Sequence, residues 1–152
     1  IACADEMRLR TTIKNIVILP HTTHDAMLQA FAQARVYLGV SISDGISTSA
    51  LEAMAMGAFP IQTNTACCDE WFEQAQGGYL VSPDNVEEIS ERLTMALSDD
   101  ALVDRAAALN WETIKTRLDQ RQFSQRLSNL YSEIFEAEPA YLPVPPPVPM
   151  RE

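Results

Sequence analysis

An α/β fold, with a parallel sheet and helices on both faces, is predicted by three features of this sequence. Short runs rich in β-formers alternate with longer stretches whose apolar residues recur at helical spacing. The links between them are short, and strand–helix–strand units with short links close into parallel sheets. The apolar fraction, 47% of 152 residues, supplies the core of one domain.

Residues 1–12 read as the end of a helix, and Asn15–Leu19 as a strand. Thr23 caps a helix whose Met27, Ala30, Phe31 and Ala34 fall at i, i+3, i+4 and i+7. Val36–Val40 is a short buried strand. Ser47, Thr48 and Ser49 are all N-cap types, so a helix begins there, runs through Ala50–Met56 and ends at Gly57. Ala58–Gln62 is the next strand, and Asn64–Gln76 a loop with a short helix. Gly78–Val81 is a fourth strand. Asp84 then caps a helix, with Glu87 at the reciprocal position and Val86, Ile89, Leu93 and Leu97 on the inner face. Ser98 or Asp99 opens a helix carrying Leu102, Ala106 and Leu109, and a last helix carries Phe123, Leu127, Leu130, Tyr131 and Ile134. Four strands with a helical C-terminus make most of one Rossmann-like half. The domain spans residues 1–137. Residues 138–152, with six prolines between Pro139 and Pro149, form an extended or disordered tail. Pro143–Pro146 fits PxxP, but a solvated tail is the simpler reading.

The stretch Ser43–Pro60 carries the chemistry. Asp44 and Glu52 are separated by seven residues, with Gly45 leading a turn after the first. Every residue from Ala50 to Met56 except Glu52 is apolar, so Glu52 is expected to have a dedicated partner or to face a cleft. Asp44 lies on the loop at the carboxyl end of a strand, where open α/β sheets place ligands. Carboxylates accept hydrogen bonds from sugar hydroxyls, and a helix start attracts phosphate. A nucleotide-sugar satisfies all three groups together. Taken singly, Asp44-Gly45 is an ordinary turn and Glu52 a paired core carboxylate. Their combination with the Ser-rich cap and Gly57-x-x-Pro60 is what points to a ligand.

This segment resembles the donor-binding core of retaining glycosyltransferases of the GT-B fold, in the group 1 family. Asp44 stands for the first acid of their signature and Glu52 for the second, within Leu51-Glu-Ala-Met-Ala55, with Gly57 and Pro60 in register. Asn15–Leu19, Glu70-Trp71 and the block from Gly78 to Val81 with Pro83 and Asp84 extend the likeness over about residues 13–135. The resemblance implies the C-terminal half of a GT-B fold, met here as an N-terminally incomplete fragment. It implies that Asp44 is the catalytic residue, contacting hydroxyls of the transferred sugar. Backbone N–H groups of Gly45, Ile46 and Ser47 would approach the diphosphate, Glu52 would bind the ribose 2′- and 3′-hydroxyls, and Glu70 would face the donor. It further implies hexosyl transfer with retention to a glycan, lipid or other acceptor, no cofactor and no obligatory metal. An N-terminal acceptor-binding domain of the same polypeptide would be the partner, and this piece alone would be inactive. Two departures stand out: Asp-Gly-Ile-Ser replaces the usual Glu-Gly-Phe-Gly, and Ser47 puts a hydroxyl where glycine is usual. A degenerate, non-catalytic module binding a protein partner, or a GT-B-like epimerase, are the alternatives.

Net charge is −10, which argues against nucleic acid as a partner. No Lys, Arg or His falls between Arg35 and Arg92, a window that holds only acidic charges. The cations a diphosphate needs are therefore expected from a segment before Ile1, and donor binding by this chain alone is expected to be weak. Cys3, Cys67 and Cys68 make no metal spacing and no disulfide framework, and read as free thiols. His21 and His24 read as surface or cleft-edge histidines rather than metal ligands. No signal peptide or membrane-length apolar run is present, so the expected place is the cytoplasm, with peripheral association at the membrane left open.

Overall fold

The computed structural model describes residues 15–19, 21–45, 47–65 and 67–136. The helix end expected at 1–12, Ile46 and the proline-rich tail lie outside them. The described residues form a parallel sheet in the order β1 (Val36–Gly39), β2 (Phe59–Thr63), β3 (Tyr79–Val81). Their helices are α1 (His24–Gln33), α2 (Thr48–Ala55), α3 (Val86–Ser98), α4 (Asp100–Leu118) and α5 (Gln120–Glu136), with a 3-10 turn at Cys68–Glu70. The chain divides into two compact units between Ile114 and Lys115. The first holds the sheet, α1–α3 and most of α4. In the second, the expected apolar face of α5 (Phe123, Leu127, Leu130, Tyr131 and Ile134) is exposed.

All five residues of β2 are buried, as befits a central strand of a parallel sheet covered on both faces. Side chains alternate across it. Phe59 and Ile61 pack with Tyr79 and Val81 against Ala96 of α3 and Leu102, Val103 and Ala106 of α4. On the opposite face, Leu80 packs with Met54 of α2, Phe72 and Ile114. Pro60 is tolerated in this central strand for a reason of parity. Phe59 N–H donates to Arg35 O on the β1 side, so the nitrogen of Pro60 faces the β3 side. There β3 begins only opposite Ile61, and no ladder bond is lost.

α2 ends as its glycine requires. Gly57 has φ +91°, its N–H donates to Met54 O at 3.2 Å, and Ala58 N–H reaches Ala53 O at 2.9 Å. This is a Schellman closure, which turns the chain straight into β2.

Three expectations need correction. Asn15–Leu19 takes no place in the sheet, and its Val17 is 82% exposed. An apolar run marks a strand only where neighbouring strand and helices cover it. The cap of α3 is Asn85, not Asp84: Asn85 Oδ1 accepts from Glu88 N–H, and Glu88 Oε2 accepts from Ser82 N–H, both at 3.1 Å. The inner stripes also shift. Val86, Leu97 and Leu109 are exposed, while Ala96, Val103, Asn110 and Ile114 are buried. Asn85→Ala is expected to lower stability by about 1 kcal/mol, and Asp84→Ala to leave it within about 0.5 kcal/mol. Urea unfolding of the two variants checks this, and equal losses would refute the cap assignment.

Candidate functional site

The loop Val40–Ser47 leaves the carboxyl end of β1 and enters α2. It is tied to the exit of β2 at two points. Thr63 Oγ1 donates to Ser41 O at 2.5 Å. The Cys68 thiol, fully buried, lies 3.4 Å from Thr63 O and 3.5 Å from Gly45 O. Asp44 is half-buried on this loop, and Gly45 next to it is exposed. A Cβ placed on Gly45 would meet nothing within 4 Å, so the space in front of its backbone is open.

Ser47 is the N-cap of α2, and its hydroxyl makes no cap bond to the helix amides. It lies instead 3.5 Å from the Tyr37 hydroxyl, with either atom able to donate. Its carbonyl receives the N–H groups of Ala50 and Leu51 at 3.0 and 3.2 Å. The first-turn N–H groups of α2 thus lack a side-chain cap, the condition under which a helix start attracts an anion.

Glu52 sits one turn into α2. It has the dedicated partner its apolar surroundings demand: Oε1 lies 2.7 Å from Nε2 of His24, the first residue of α1. The Glu52 side chain is 25% exposed and that of His24 66%. His24, expected to be a surface or cleft-edge histidine, is thus the partner of Glu52. No spacing signals this contact, because α1 and α2 meet only through packing. Tyr37 and Cys68 were likewise missed as supports of the loop.

The structure thus brings Asp44, Gly45, Ser47 and Glu52 onto one loop-and-helix unit. Glu70 is placed differently. It is exposed at the end of the 3-10 turn and lines a cavity of about 370 Å³ with Trp71, Glu73, Leu109 and Asn110, which none of the other four lines. Among the described residues, no group of three or more His, Cys, Asp or Glu is placed to hold a metal ion.

The flanking arginines are engaged away from the loop. Arg35 Nε donates to Ala96 O, its guanidinium pairs with Asp100, and Arg92 stacks over the Tyr79 ring at 5.4 Å. Burial pushes the Cys68 thiol above its ordinary range, and the charges of Cys67, Asp44 and Asp69 add to the rise, against a backbone hydrogen bond at Thr65. The fold therefore favours the neutral thiol. That contribution to stability is whole below the unfolded thiol pKa, about 8.5, and is lost as pH rises through the raised folded value. Melting temperature should fall more steeply between about pH 8 and about pH 11 in the wild type than in Cys68→Ala. Parallel slopes would refute it.

Residues 5–112 match the family described as glycosyl transferases group 1. The chain belongs to that family. As a group 1 glycosyl transferase domain, it superposes on sucrose-phosphate synthase from Thermosynechococcus elongatus with a TM-score of 0.77 at 18% identity. The alignment covers 88% of this chain and 33% of that one. HepE of Anabaena, in complex with UDP-glucose, gives 0.77 at 17% identity, over 87% of this chain and 36% of that one. The C-terminal domain of a glycosyl transferase group 1 family protein from Francisella tularensis gives 0.62 at 24% identity, over 74% and 58%. These matches establish the GT-B glycosyltransferase fold for the group 1 domain. The chain spans about a third of the length of the first of these structures. No curated protein matches the sequence. No helix among the described residues is long and apolar enough to cross a membrane.

Proposed function

We propose that this chain forms the nucleotide-sugar donor site of a retaining hexosyltransferase. The single observation that carries the reading is the common mounting of Asp44 and Glu52. One stands on the loop at the β1 exit, and the other one turn into α2, held through Oε1 with Oε2 left over. In this reading Asp44 contacts hydroxyls of the transferred sugar, and Glu52 accepts from the ribose 2′- and 3′-hydroxyls. The open backbone at Gly45 and the uncapped start of α2 behind Ser47 receive the diphosphate, and the N–H of Ile46 is assigned to it on the family resemblance alone. The UDP-glucose complex of HepE supports a sugar nucleotide as the ligand class. Acceptor binding is assigned to an N-terminal domain of the same polypeptide, the cations for the diphosphate to a further basic segment of the donor domain itself, and no metal is required. Glu70, on a separate cavity, is assigned at most to the rim of the donor site.

The test is a saturation-transfer NMR titration with UDP-, GDP- and ADP-sugars. Transfer to the ribose protons of one nucleotide supports the reading and names the base. Absence of transfer with all three, in this chain and in a longer form carrying the N-terminal domain, would sink it.

A second reading is favoured by one observation, the absence of Lys, Arg and His between Arg35 and Arg92. A domain so short of positive charge could be a non-catalytic module that binds a protein partner. Glycosyl transfer by the longer polypeptide excludes that, and product formed without acceptor would indicate an epimerase.

A further inference from the structure

His24 is a basic side chain that touches a residue of the proposed donor site, with Nε2 2.7 Å from Glu52 Oε1. The contact has a clear physical role. Glu52 projects from a helix turn whose neighbours Leu51, Ala53, Met54 and Ala55 are apolar and packed, so little else there orients its carboxylate. A glutamate side chain has three rotatable bonds, and an unheld carboxylate swings toward water. A carboxylate also has two oxygens, each with its own lone pairs. An imidazole that takes Oε1 leaves Oε2 free and fixes the plane in which it points.

We infer that His24 is a positioning residue for donor recognition: it holds Glu52 so that Oε2 is presented to the ribose diol. The inference rests on the reading of Glu52 given above. Its neighbours do not compete for the role. Thr23 Oγ1 is occupied as the N-cap of α1, accepting from Ala26 N–H, and Asp25 is exposed in the first turn. His24 is itself 66% exposed, so replacing it opens no core cavity. The contact joins the start of α1 to α2, and so makes ribose recognition depend on how these two helices pack.

The experiment measures the Kd of the full chain for UDP, GDP and ADP, each paired with its 2′-deoxy counterpart. The variants are His24→Ala, His24→Gln, Glu52→Ala and the double alanine variant. A carboxylate bound to a 2′-hydroxyl should favour the ribonucleotide by about tenfold or more. Glu52→Ala should abolish that preference. His24→Ala should reduce it several-fold, and His24→Gln, which keeps an N–H donor, should restore most of it. The double variant should discriminate no worse than Glu52→Ala, because both changes remove one interaction. A merely structural histidine would alter melting temperature without altering the ribose preference. If Glu52→Ala abolishes the preference and His24→Ala leaves it whole, the inference is overturned and the donor-site reading stands. If Glu52→Ala leaves the preference whole, or no nucleotide binds either this chain or a longer form carrying the N-terminal domain, the role of Glu52 falls and the inference with it.

Discussion

Glu52→Ala weakens binding of the nucleotide-sugar donor by about 10- to 150-fold, the equivalent of a charge-assisted hydrogen bond of about 1.5–3 kcal/mol. Three-quarters of the side chain is shielded from solvent, so water competes less for the carboxylate than on an open surface. The loss should fall on affinity for every nucleotide-sugar that shares the base, whatever the sugar, because the contact is with ribose. Asp44→Asn should behave differently. It faces the transferred sugar in the proposed site, and so should lower turnover in the longer polypeptide while leaving free nucleotide binding nearly unchanged. Calorimetry with the nucleoside diphosphate and with the nucleotide-sugar separates the two. Equal losses for both ligands in both variants would mean that the carboxylates do not divide the ligand between them. Glu52→Gln keeps length and acceptor oxygen but loses charge, and should lie between wild type and alanine.

Much of the frame of this site is legible in the sequence because it is local. Gly57 is needed by the Schellman closure of α2, and the Ser-rich stretch does hold the N-cap. Glu52 in an apolar helix announces a partner, yet the identity of that partner lies 28 residues away in His24. No periodicity encodes a contact between two helices that meet through packing. The cap of α3 shows a second kind of limit. Asp84-x-x-Glu87 and Asn85-x-x-Glu88 both satisfy the same local pattern, and only the backbone entering from β3 selects the second. The apolar stripes fail for a third reason. Val86, Ile89, Leu93 and Leu97 fall at helical spacing, but the face of α3 that meets the core cluster runs through Ile89, Leu93 and Ala96, so the small Ala96 is buried while Leu97, one position round the helix, stays in solvent. Asn15–Leu19 repeats that lesson without a helix: the run is apolar, but its Val17 is 82% exposed and it forms no strand among the described residues.

The proposed site hangs on the sheet, and one side chain tests how firmly. Phe59 is 1% exposed at the start of the central strand, with its ring edge-on to Tyr79 at 5.1 Å and 67°. It packs in the cluster that joins β2 and β3 to Ala96, Leu102, Val103 and Ala106. Phe59→Ala is expected to cost about 3–5 kcal/mol, through lost transfer energy and the cavity left behind. That is a large part of the roughly 5–15 kcal/mol that holds a domain of this kind together. β2 also anchors the Asp44 loop, through Thr63 on Ser41 and through Cys68. The variant should therefore lose the ribose contacts as it loses its urea midpoint, and at a denaturant concentration where it is still folded its nucleotide affinity should be normal. Phe135, 91% exposed on α5, supplies the control, since its replacement by alanine should shift stability by no more than about 0.5 kcal/mol. A Phe59→Ala loss no larger than that of Phe135→Ala would show that β2 is not the spine of the core. A normal midpoint with lost affinity would place Phe59 in the site rather than beneath it.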